Sequence, residues 1–132
     1  MEDLLRKSGY STKAIEYYTG KVHVGWIWNP SVELAFTGPC GDTLKIYLVI
    51  DSELIKDAKF EAVGCAGAFS AGSALMEMIR GKSISEAESI RTEEIIEHLG
   101  GVPENKKDCV LLTKTTLDKT LQLYKKENQG RH

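Results

Sequence analysis

Val32, Leu34 and Phe36 alternate with Glu33 and Ala35, and Leu44, Ile46, Leu48 and Ile50 point one way while Lys45 and Tyr47 point the other. That period of two marks strands buried on one face. The Gly38-Pro39-Cys40-Gly41-Asp42 turn separates these two runs. Asp51 to Asp57 reads as a turn region, and Lys59 to Val63 supplies a third strand with Phe60 and Ala62 alternating against Lys59 and Glu61. Short connections make the three an antiparallel meander. One face of such a sheet needs a cover of helices.

The rest of the chain supplies that cover. Ser11 is placed to cap a helix through Tyr18, with Ile15 and Tyr18 on one side. From Ala66 to Ile79, small residues give a helix whose backbone can approach its neighbours closely, and Gly81 stops it. Short helices follow over Ser85 to Ile90 and Thr92 to Leu99, the second capped by Thr92. Gly100, Gly101 and Pro103 end the pair. A last helix runs from about Asp108 to Tyr124, with Val110, Leu117, Leu121 and Tyr124 on one face. The pattern predicts an α+β fold: a three-stranded antiparallel meander, helices on one face, and a C-terminal helix. Residues 1–9 and 126–132 are expected to fray.

Composition narrows this picture. A chain of 132 residues, 42% hydrophobic, fits a single domain with one core. A net charge of -2 with scattered Lys and Arg excludes the footprint of a nucleic-acid binder. No secretory leader and no membrane-spanning run is present, so the expected setting is cytoplasmic, with no membrane partner. Thr19 to Ser31 reads as a loop in which Trp26 and Trp28 either meet a partner or fold back on the core. His23, in the same loop, reads as a surface histidine rather than a ligand.

The chemistry lies in three cysteines, an odd number that argues against a disulfide framework in a reducing compartment. Cys40 shares a turn with Asp42, while Cys65 and Cys109 stand where helices begin. Helix N-termini favour thiolates, so the last two are expected to be anionic near neutral pH. Asp42 and the three thiols are expected to meet and hold a metal or an iron-sulfur cluster.

Gly38-Pro39-Cys40-Gly41-Asp42, Gly64-Cys65 running into Ala66 to Ser73, Gly81-Lys82-Ser83, and Pro103 with Lys106 and Cys109 occur in an order that resembles the U-type iron-sulfur scaffold family, IscU and the N-terminal domain of NifU. The resemblance runs from Tyr10 to about Lys125. It implies a non-enzymatic scaffold that takes sulfur from a cysteine desulfurase, assembles a labile [2Fe-2S] cluster and passes it to apo iron-sulfur proteins or carriers. It further implies Cys40, Cys65 and Cys109 as cluster thiols, Asp42 as the carboxylate, and Cys109 as the first sulfur acceptor.

A zinc-binding persulfide acceptor that stimulates a desulfurase is the second reading, since some members hold zinc at this site. A homodimer is compatible with both. Asp108 stands where many members have histidine, which makes Asp42 the first choice of oxygen ligand and Asp108 the second, with an N-cap role for Asp108 equally open. Val102-Pro103-Glu104-Asn105-Lys106 keeps only the proline and lysine of the segment that a dedicated Hsp70 chaperone reads, which weakens the implication of that partner.

Overall fold

The computed structural model describes residues 2–128. Strands β1 (Val32–Thr37), β2 (Thr43–Asp51) and β3 (Leu54–Val63) form an antiparallel sheet in that order, with Val32 opposite Leu48 and Thr43 opposite Val63. Leu44, Ile46 and Leu48 of the central strand are fully buried on the helical side. The opposite face carries Lys45 paired with Glu33 at 3.8 Å, and Tyr47, whose hydroxyl donates to Glu61.

β3 starts at Leu54, five residues before the expected Lys59, because the turn before it contains only Ser52 and Glu53. Both have positive φ, 54° and 67°, the geometry of a tight hairpin turn. That turn usually advertises itself with Asn or Gly, and here it does not. Two helices also start earlier than the pattern suggested. In α4 (Ile84–Glu88), Ser83 accepts from the Glu86 N–H. In α5 (Thr92–His98) the cap is Arg91, not Thr92, because the Glu94 carboxylate reaches back to the Arg91 N–H at 3.0 Å.

Helix α1 (Glu2–Lys7) occupies part of the segment expected to fray. Its Leu5 is 8% exposed and joins the hydrophobic core. α2 (Thr12–Gly20) is capped by Ser11, which accepts from the Ala14 N–H and donates to the Leu99 carbonyl. Tyr17, rather than Tyr18, is the buried aromatic of α2. α3 (Ala66–Ile79) packs on β3, α2 and α6 (Lys107–Asn128), and α6 also covers β1 and β2. α6 begins at Lys107 and reaches Asn128; residues 129–132 of the expected tail lie outside the described residues. Its buried Thr113, Thr116 and Thr120 hydroxyls each donate to the carbonyl four residues back, which satisfies polar groups on a core-facing surface.

The loop after α2 runs along the outer edge of β3, where Phe60 donates to the His23 carbonyl at 3.1 Å and Gly25 donates to the Phe60 carbonyl at 2.8 Å. Trp26 and Trp28 are 61% and 84% exposed, so neither folds back on the core. His23 is not the surface histidine expected. Its Nε2 is buried without a hydrogen-bond partner among the described residues, and burial, then the Arg80 guanidinium, lowers its pKa.

On the far side of α3, Glu77 accepts from Tyr17 and meets His98 Nε2 at 3.0 Å. The Tyr17 bond, then the His98 bond, holds the Glu77 carboxyl below its ordinary pKa. A depressed folded-state pKa adds stability that is present above the unfolded carboxylate value and is lost as pH falls through the folded one. The urea midpoint of the wild type is therefore expected to fall further than that of Glu77→Gln as pH drops through and below the ordinary carboxylate range. Parallel losses in the two proteins would remove Glu77 from the acid response.

Candidate metal centre

Three of the four candidate residues meet at the end of the sheet where β2 begins and α3 and α6 start. Asp42 precedes β2, Cys65 is the N-cap of α3, and Cys109 lies in the first turn of α6. One ligand atom from each falls within 4.8 Å of the other two. Cys65 Sγ is 3.5 Å from Cys109 Sγ and 3.6 Å from Asp42 Oδ2, and Cys109 Sγ is 4.0 Å from the same oxygen.

Two glycines make this approach feasible. A β-carbon on Gly64 would lie 2.5 Å from Asp42 Cγ, so Asp42 occupies the space that any other side chain at 64 would need. A β-carbon on Gly67 would lie 3.1 Å from Cys109 Sγ, 3.2 Å from the Tyr10 hydroxyl and 3.4 Å from Cys65 Sγ. Three heteroatoms thus gather over one backbone carbon. Nothing in the sequence pattern around Tyr10 signalled its place here, because a buried tyrosine before a helix cap reads as ordinary packing.

The two thiols divide one proton between them. The hydrogen bond from Cys109 lowers the Cys65 pKa to about 5, against the cost of burial, and the Ala68 and Gly67 N–H groups at the start of α3 act in the same direction. Its partner goes the other way: the bond to Cys65, then burial and the Cys65 charge, raises the Cys109 thiol. The expectation of two thiolates is thus corrected: the pair carries one. A helix start is too weak to ionise a second thiol beside an anionic sulfur. Lys106 favours the anion at both positions.

Cys40 stands apart. It is exposed on the hairpin turn, closed by a bond from Gly38 N–H to the Asp42 carbonyl at 3.0 Å, and it lines a cleft of about 360 Å³ with Phe36, Pro39, Leu111 and Asp108. Asp108 lies in the first turn of α6, past the cap position, and shares that cleft rather than the Asp42 group. Gly41 has a φ of 91° and open space at its α-carbon. The turn joining Cys40 to Asp42 is therefore uncrowded on that side.

Residues 9–131 match the NifU-like N terminal domain family. The chain belongs to this family. Among its relatives, an iron-sulfur cluster assembly scaffold protein IscU from Rickettsia prowazekii is 32% identical over 127 residues, covering 92% of this chain and 96% of that protein. Iron-sulfur cluster assembly scaffold protein IscU 1 from Archaeoglobus fulgidus is 33% identical, covering 90% of this chain and 78% of that protein. The fold agrees with that of a nitrogen-fixing NifU-like protein (N-terminal) from Brucella abortus, with a TM-score of 0.76 at 15% identity over 93% of this chain and 99% of that one. In this NifU-like domain no helix among the described residues is long and apolar enough to cross a membrane.

Proposed function

We propose that this NifU-like domain is a scaffold on which a [2Fe-2S] cluster is assembled and from which it is released to apo-proteins or carriers. The observation that carries this reading is the convergence of Asp42, Cys65 and Cys109 in a member of a family whose relatives are named as cluster assembly scaffolds. Cys65 and Cys109 supply soft thiolate ligands, Asp42 a hard oxygen, and Cys40 the remaining thiol, brought in from the adjoining turn. Thiolates suit iron with bridging sulfide, and a carboxylate among them loosens the grip. A site meant to deliver its cargo needs that looseness.

Sulfur arrives from a cysteine desulfurase. Cys109 passes its proton to the Cys65 thiolate 3.5 Å away and then attacks the terminal sulfur of the donor persulfide; the donor S–S bond breaks, the donor cysteine leaves as thiolate, and Cys109 carries the persulfide. No net electrons move in that step. The chain acts as one domain, in a cytoplasmic setting that keeps thiols reduced.

The test is anaerobic reconstitution with ferrous iron, cysteine, a reductant and a desulfurase, followed by visible absorption and sulfide analysis. The wild type is expected to gain a sulfide-containing chromophore that Cys65→Ala and Cys109→Ala do not retain. Equal chromophores in all three proteins would refute the scaffold. Stoichiometric zinc with desulfurase stimulation and no chromophore would put the zinc-dependent acceptor in its place.

A further inference from the structure

We propose that Tyr10 is a positioning residue of this site, its phenol O–H donating a hydrogen bond to the Cys65 sulfur while that sulfur is bound to metal. The proposal rests on the assignment of Cys65 as a ligand. Its starting point is the gathering over Gly67, where the Tyr10 oxygen and both sulfurs lie 3.1 to 3.4 Å from a single point.

Tyr10 is delivered there by residues on both sides of it. Gly9, with a φ of 94°, lies against Pro103, whose Cγ is 3.4 Å from where a β-carbon would stand. Ser11 is bound to the Leu99 carbonyl while it caps α2. The Tyr10 N–H donates to the Leu5 carbonyl at 3.2 Å, which ties α1 to the same anchor. Tyr10 is 9% exposed and belongs to the hydrophobic core.

A phenol keeps its proton at neutral pH and donates it without bringing a charge. A metal-bound thiolate retains lone pairs that accept such a bond. Donation draws electron density off sulfur, which weakens its donation to metal and shifts the potential of any redox-active cargo. A tyrosine that merely fills space would do none of this. Lys106 also favours negative sulfur, but as a charge it acts on both thiols together.

Cobalt(II) is the probe, because its thiolate-to-metal charge-transfer band reports electron density on the ligating sulfur. The wild type, Tyr10→Phe and a protein with 3-fluorotyrosine at position 10 would be loaded anaerobically and their near-ultraviolet spectra recorded. Tyr10→Phe is expected to move the band to lower energy, with cobalt affinity in a chelator competition changed by less than the roughly 10- to 100-fold loss typical of removing a ligand's supporting group. The fluorinated phenol, a stronger donor, is expected to move it to higher energy. A bound Tyr10→Phe protein with an unmoved band overturns the proposal. Should Tyr10→Phe fail to fold, an unmoved band in the fluorotyrosine protein overturns it equally. Absence of any charge-transfer band in the wild type would instead overturn the ligand assignment, and this inference with it.

Discussion

Phe60→Ala is expected to lower the unfolding free energy by about 3–5 kcal/mol, the range for emptying a buried aromatic site. The ring is completely buried on β3 and meets α3 where that helix has no side chain: a β-carbon on Gly72 would lie 2.5 Å from Phe60 Cε2. Phe69, one turn earlier on α3, stands 6.2 Å away, ring to ring. The Phe60 backbone also holds the His23 and Gly25 edge of the sheet. Truncation therefore leaves a void between a strand and a helix, and neither can collapse into it without giving up hydrogen bonds. Urea titration checks this. A loss below about 1 kcal/mol would mean that α3 closes the gap, against the usual cost of such cavities.

Gly64→Ala is expected to reproduce Asp42→Ala at the metal centre. Gly64 has no positive φ, so alanine is tolerated by the backbone. What forbids it is the Asp42 carboxyl, whose Cγ would stand 2.5 Å from the new methyl. The carboxylate has to leave the Cys65–Cys109 pair in one variant and is deleted in the other. Both are expected to lose zinc affinity by at least the roughly 10- to 100-fold seen when a ligand's supporting group is removed, since a ligand itself is lost. Both are also expected to hold a reconstituted cluster longer than the wild type, because the labile oxygen is gone, with little change in thermal midpoint. Chelator competition and the decay of visible absorption measure the two effects. Faster cluster decay in either variant would show that Asp42 retains the cargo rather than frees it.

Much of this architecture is legible before any coordinates. The alternation in β1 and β2, the small-residue helix α3 and the amphipathic α6 are written in side-chain period, which is set by burial on one face. The start of β3 was hidden because Ser52 and Glu53 adopt left-handed backbone without glycine or asparagine to announce it. The cap of α5 was hidden because Arg91 contributes only its backbone N–H, which every non-proline residue owns. At the site, residue type and helix position pointed to Cys65, Cys109 and Asp42. Cys40, two residues from Asp42 on the turn, is exposed and lines a cleft with Leu111 and Asp108, outside the Asp42 group. Tyr10 could not be read at all, since its place depends on how Gly9 meets Pro103, more than ninety residues away in the chain.

The three atoms of the Asp42 group are separated by 23, 44 and 67 residues along the chain. A ribosome adds about 5–20 residues per second, and domains fold as units once enough chain has emerged. Asp42 and Cys65 therefore leave the exit tunnel seconds before Cys109 does. A chain whose α6 has not emerged lacks Cys109 and cannot present the full set. Cargo thereby waits for the last helix of the domain.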